Sequence, residues 1–116
     1  MIAALVMAVQ MAAPPPGCGP GAYGRVGCCS VAPRLVSRYD EPYRAVARRR
    51  GLRGIVILQL AIERDGHVCS ARVLRGLDPE FDRAALAAVA RWRFRPALDH
   101  RGKPVAMLFN VMVKSG

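Results

Sequence analysis

The chain has 116 residues, 53% of them hydrophobic, and carries a formal net charge of +10. A chain this short supports one small core, which excludes a two-domain enzyme. The positive balance favours acidic partners, but Lys103 and Lys114 are the only lysines, and an arginine surplus of this kind reads first as a solvated basic surface, because charge alone gives only non-specific attraction.

Residues 1–13 are apolar apart from Gln10, and Pro14, Pro15, Pro16 and Gly17 end the run. That is shorter than the ~20 residues a helix needs to cross a bilayer. It fits the apolar part of a secretory signal, although no Lys or Arg precedes it and no Ala-x-Ala cleavage site follows. Cys18 follows Pro15-Pro16-Gly17 and lacks the leucine-like residue a lipoprotein signal places three before its cysteine, so lipidation is not expected. The segment is either a short signal peptide or the tail of a longer membrane anchor. Residues 14–36 are Gly- and Pro-rich without helical or strand period and read as a linker, with order beginning near Tyr39 and one folded domain over 37–116.

The spacing of Cys18, Cys28, Cys29 and Cys69 is too irregular for a zinc site, and no metal is expected. In an oxidising envelope Cys18 could bridge to Cys28 or Cys29, stapling the leader; the alternative is a disordered leader with incidental thiols. Cys69 alternates with Ser70 along with Ala71 and Val73, and reads as a small hydrophobe pointing from a strand into packed surroundings.

From Pro42 to Arg50, Tyr43, Val46 and Ala47 recur at helical spacing while Arg44, Arg48, Arg49 and Arg50 take the outer positions, so the pattern predicts a short amphipathic helix stopped by Gly51. Residues 55–62 form a nearly continuous apolar, β-branched run suited to a central strand. Asp65-Gly66 supplies a hairpin turn, and a second strand returns antiparallel over 68–74. Asp78, Pro79 and Glu80 then open a helix, by capping, a pre-set φ and dipole charge respectively. Its apolar stripe is Phe81, Ala85, Ala88, Val89 and Trp92, and Pro96 forbids continuation. Residues 105–113 form a last strand, with Val105, Met107, Phe109, Val111 and Val113 on one face and Ala106, Leu108, Asn110 and Met112 on an unusually apolar other face.

Catalytic chemistry finds no support. His67 lies beside a turn and His100 in a loop, no serine sits in a nucleophile motif, and Asp65, Asp78 and Asp82 have turn or capping explanations. No Gly-rich phosphate loop follows a strand, so no cofactor is expected. The sheet also lacks the interleaved aromatics with which nucleic-acid readers stack on bases.

The order of these pieces resembles the C-terminal domain of the TonB family. The resemblance rests on Tyr43 in a first helix, the Gly51 to Gly54 junction, a strand, the Asp65-Gly66 hairpin, a second strand, an alanine-rich helix closing in Trp92-Arg93-Phe94-Arg95-Pro96-Ala97, a Gly102 to Val105 turn and a final strand. It covers about two thirds of the chain. One departure is that the family's Tyr-Pro has become Tyr43-Arg44. The fold it implies is α+β, a three-stranded antiparallel sheet of order 2-1-3 with two helices on one face, of the TonB/TolA C-terminal type. Tyr43, Gly54, Asp65, Gly66, Trp92, Phe94 and Pro96 are its structural positions.

The function the resemblance implies is non-enzymatic: a periplasmic protein that couples an inner-membrane proton-driven motor of the ExbB/ExbD type to outer-membrane receptors for siderophores or vitamins. Such domains grip a receptor segment, the TonB box, by adding it as a strand beside Val105, Ala106, Met107, Leu108, Phe109, Asn110, Val111, Met112 and Val113, without cofactor or nucleic acid. An edge strand offers unpaired backbone groups, which give a sequence-tolerant grip. At ~3.1 Å per residue the linker reaches less than about 100 Å, marginal for crossing a periplasm. The alternative is therefore an orphan secreted interaction domain without energy transduction. Inner-membrane anchoring and a homodimer are left open.

Overall fold

The computed structural model describes residues 11–12, 18, 23–24 and 29–115. The apolar run before Met11, the stretch from Pro14 to Gly17, and Cys28 lie outside the described residues. In chain order the elements are β1 (Met11–Ala12), β2 (Tyr23–Gly24), β3 (Arg34–Ser37), α1 (Glu41–Arg50), β4 (Ile55–Ile62), β5 (Val68–Arg75), α2 (Pro79–Val89), β6 (Arg93–Arg95), β7 (Ala97–Leu98), β8 (Pro104–Val105) and β9 (Met107–Lys114).

The three long strands make an antiparallel sheet with β4 between β5 and β9. A hairpin followed by a helical crossover gives this order, because the crossover returns the chain to the far side of the first strand. Alternation along β4 turns Val56, Leu58, Leu60 and Ile62 toward the helices, where they are fully buried. The helices cover that face with Tyr43, Val46 and Ala47 of α1 and Phe81, Ala85, Ala88 and Val89 of α2. Tyr43 and Phe81 meet edge to face, with ring centroids 5.7 Å apart, at the seam between the two helices. The alanines let α2 lie close to the sheet, and burying this apolar surface is the main source of stability.

Asp78 caps α2 as its sequence position predicts, its carboxylate accepting from the amides of Glu80 and Phe81 at 3.1 Å. The arginines of α1 are exposed but not unpartnered. Arg50 reaches Asp78 at 2.9 Å, Arg49 pairs with Glu80, Arg48 reaches Glu41 at 3.1 Å and Arg44 reaches Asp40 at 3.0 Å. Exposed pairs of this kind contribute ~0–1 kcal/mol each, so the ones from Arg49 and Arg50, which cross to α2, orient the helices more than they hold them.

The Asp65-Gly66 turn closes the β4–β5 hairpin, with the amide of Gly66 donating to Glu63 O. Gly66 has φ +91°, and a Cβ there would fall 1.8 Å from the carbonyl oxygen of Phe94. Conformation and contact both require glycine at this position.

Four expectations need correction. The second helix ends at Val89 instead of running on toward Pro96. A turn follows, closed by the Arg91 and Trp92 amides donating to Ala88 O and Val89 O. The chain then becomes extended because β6 pairs antiparallel with β3, Arg34 opposite Arg95 and Leu35 opposite Phe94. Trp92 thus sits in the turn and not on the helical stripe, only 3% exposed, its Nε1–H donating to Tyr39 O at 2.9 Å. Order also begins before Tyr39, because β3 starts in the stretch read as linker and draws its regularity from its partner β6.

The final strand begins at Met107. Val105 belongs to β8, which pairs with Ala97 of β7 across a turn in which Asp99 accepts from the amides of Arg101 and Lys103. Lastly, Cys18 bridges neither Cys28 nor Cys29. It is disulfide-bonded to Cys69, 51 positions away, so Cys69 is no isolated small hydrophobe. Cys29 is itself disulfide-bonded. The leader adds β2 and then β1 beside β9, giving a full order β1-β2-β9-β4-β5.

Candidate functional site

The outer side of β9 is built by an unbroken ladder. Eight consecutive pairs join it to β4, from Ile55 opposite Lys114 to Ile62 opposite Met107, without a register shift. Two hydrogen bonds fix which backbone groups face which way. Ser115 N donates inward to Gly54 O at 3.0 Å, while Gly24 N reaches the outward carbonyl of Ala106 at 3.0 Å. Because N–H and C=O directions alternate along a strand, the odd-numbered residues of β9 bond to β4. Leu108, Asn110, Met112 and Lys114 turn theirs outward, and the Leu108 N–H donates to Gly24 O, the second bond of the parallel bridge in which Gly24 N donates to Ala106 O. Among the described residues only the parallel bridge of Gly24 with Met107 lies on that side.

The side chains alternate in the same way. Met107, Phe109, Val111 and Val113 face the helices, with Met107 and Val113 buried and Phe109 meeting Phe94 edge-on at 6.2 Å. Leu108, Asn110 and Met112 lie on the opposite sheet face, where Met112 is 65% exposed. A depression next to Met112, lined by Ile55, Ile57, Arg75 and Leu77, continues this apolar surface.

Of the nine residues expected to form the edge, Met107 to Val113 lie on one strand. Val105 and Ala106 do not: Val105 is engaged with β7, and Ala106 is the joint between β8 and β9. The structural positions are dispersed, as supports would be. Tyr43, Trp92 and Phe94 are in the core, and Asp65 and Gly66 are at the hairpin. Gly54, at φ +152°, bonds through its amide to Ser115 Oγ at 2.8 Å, and Pro96 separates β6 from β7.

Sequence reasoning missed the leader. Tyr23 is buried, and its hydroxyl donates to Glu63 and lies 3.6 Å from Cys69 Sγ. Burial, and then the hydrogen bond to the Glu63 carboxylate, push the phenol up to about 12, so it stays a donor at any physiological pH. No periodicity flags Tyr23-Gly24; the available signal was the number of cysteines, read with too short a list of pairings. Cys18, Glu63 and Cys69 are also the one group of possible metal ligands gathered among the described residues. Its two sulfurs are joined to each other, which leaves no thiolate to bind a cation.

The family model described as Gram-negative bacterial TonB protein C-terminal matches residues 40–114. Protein TonB of Vibrio cholerae is 33% identical over 85 residues, a match covering 71% of this chain and 34% of the Vibrio protein. The solution NMR structure of the Pseudomonas aeruginosa TonB CTD aligns with a TM-score of 0.54 at 31% identity, over 78% of this chain and 90% of that one.

Proposed function

Because this chain belongs to the family of Gram-negative bacterial TonB C-terminal domains, we propose that it grips an extended segment of an outer-membrane receptor, the TonB box, by strand addition along β9. The observation that carries this reading is the run of outward groups from the Leu108 carbonyl through Asn110 and Met112 to Lys114, on a strand with no register shift. Each added backbone hydrogen bond contributes ~0.5–1.5 kcal/mol. Several in parallel resist a pull along the strand because they must shear together, while alternate side chains of the guest pack against Leu108 and Met112.

In this reading the domain makes and breaks no covalent bond. It passes force, generated by a proton-driven motor of the ExbB/ExbD type in the inner membrane, to a receptor that imports siderophores or vitamins, and it works in the periplasm. The chain spans 34% of the length of the Vibrio protein, so motor engagement and transport are part of the proposal. No described helix is long and apolar enough to cross a membrane.

Titration of isotope-labelled protein with a TonB-box peptide tests the grip. Shifts should concentrate on β9, and Asn110→Pro or Met112→Pro should abolish binding with the fold retained, since proline removes an open outward donor and is tolerated at an edge. Shifts mapping to α1, or unchanged affinity in both proline variants, would sink the mechanism. Peptide binding without support of siderophore-dependent growth in a strain lacking its own transducer would identify an interaction domain that does not transmit energy.

A further inference from the structure

The leader occupies one end of the edge on which the proposed grip depends, and it is held there at three points. Gly24 N donates to Ala106 O at 3.0 Å and pairs in parallel register with Met107. The Tyr23 ring is buried, with its hydroxyl on Glu63. Cys18 is bonded to Cys69 on β5, across the width of β4. These contacts cross the outer face of the sheet at a single corner, where they bury Ala61, although Ile55 on the same face and strand is 42% exposed.

The noncovalent contacts do not hold the leader by themselves. Two backbone hydrogen bonds and one buried ring must offset the conformational entropy lost at every residue the leader orders. The disulfide reverses that balance. It fixes Cys18 six positions before Gly24, so pairing with β9 becomes a local event at high effective concentration. An incoming strand can therefore use β9 from the Leu108 carbonyl to Lys114, but meets the leader at Met107 and at the Leu108 amide, which Gly24 O holds.

We propose that Cys18–Cys69 is a thiol–disulfide exchange site, and that its reduction by a dithiol releases the leader from the Met107 end of β9 and lengthens the edge open to a guest strand. The regulatory consequence rests on the strand-addition reading; the release itself does not. Both cysteines are only half-buried, so a small dithiol or an oxidoreductase thiolate has access to the bond. Attack on Cys18 Sγ forms a mixed disulfide and expels Cys69 as a thiolate, which takes up a proton; Ala61 O, 3.5 Å from Cys69 Sγ, accepts from the resulting thiol. The second thiol of the reductant then displaces Cys18. The products are two protein thiols and one oxidised reductant, two electrons having passed from reductant to protein.

Amide hydrogen exchange in a peptide spanning residues 106–110 reads the release without any receptor segment. In dithiothreitol, exchange there should quicken by about fivefold or more relative to the oxidised protein, while peptides from α2 are unchanged. The Cys18→Ser/Cys69→Ser variant should match the reduced protein without reductant. That variant separates the effect from the disulfide of Cys29, which dithiothreitol also reaches. Unchanged exchange on reduction would overturn the proposal. So would acceleration on reduction that the double variant does not reproduce, or acceleration across the whole chain, which would make the bond a staple of the fold. If release is seen but a TonB-box peptide binds neither form, the exchange site stands and the strand-addition reading falls.

Discussion

The two edges of the central sheet differ in regularity and in charge. On β5 the register slips twice against β4, between Ile57 and Leu58 and between Ala61 and Ile62; Arg72 and Arg75 are exposed along it, and Leu74 bulges out between paired neighbours. On β9 the eight pairs run without a slip and no charge appears before Lys114. Bulges and outward charges are the means by which proteins stop an edge from recruiting foreign strands. One edge is thus closed to new partners by its own geometry, while the other is flat and uncharged and is covered at one corner by the leader. Leaving a flat edge exposed carries a standing risk of aggregation, and of these two edges it is the one the proposed grip requires that carries it.

The change expected to have the largest effect removes the strand common to both edges. Leu60 is fully buried, paired with Ala71 on one side and Phe109 on the other. Leu60→Ala should destabilise the domain by about 2–5 kcal/mol, measured by denaturant unfolding. A loss below about 1 kcal/mol would show that β4 is not the shared spine the comparison assumes. Gly66→Ala strains the hairpin turn where it meets β6. Its Cβ would meet the Phe94 carbonyl, so a cost of at least about 1–3 kcal/mol is expected from the strained turn. Proteolysis or hydrogen exchange should show β5 loosening before β9, and simultaneous loss of both strands would show that the edges do not fail independently.

A gentler pair of substitutions exchanges the character of the edges. Asn110→Lys places a charge in the middle of β9 and should weaken TonB-box peptide binding about tenfold through desolvation and repulsion at the pairing face. Arg72→Val with Arg75→Val should leave peptide binding unchanged. It should instead raise self-association of the purified protein, detected by light scattering. If the β5 substitutions altered peptide affinity as much as the β9 one did, the edges would not be functionally distinct.

What could be read from the sequence follows from how local each signal was. The two long hairpin strands, the first helix with its buried Tyr43, Val46 and Ala47, and the Asp78 cap were all legible, because period, turn chemistry and capping act over a few residues. The order of the three strands was legible too, since a hairpin followed by a crossover permits few arrangements. The β3–β6 ribbon was not. At four and three residues, Arg34–Ser37 and Arg93–Arg95 are too short to mark a strand by alternation, and each exists because the other is there. The same holds for Tyr23-Gly24 and for the Cys18–Cys69 bond, which are joined by contacts between positions 40 and 51 apart. The start of the last strand was misread because Val105 continues the alternation of Met107 through Val113. Only the turn organised by Asp99 directs Val105 to Ala97 instead.

The smallest expected effect concerns pH at the hairpin turn. The backbone amide of His67, and then its ring, donate to Asp65 and hold that carboxyl below the usual carboxylate range. A carboxylate whose pKa is lower in the folded than in the unfolded chain adds stability above its unfolded value near 3.9, and that stability is lost as pH falls through the folded value. Asp65 is well exposed, so solvent screens most of the interaction. Asp65→Asn keeps an acceptor oxygen but cannot titrate. The parent should therefore melt slightly higher than the variant near pH 6, and the two melting curves should converge near pH 2. Because the turn joins β5 to β4 and does not touch β9, peptide binding should show no matching acid-dependent difference between the two proteins. If binding weakened in the variant in step with its melting temperature, the hairpin turn would be coupled to the β9 edge through β4.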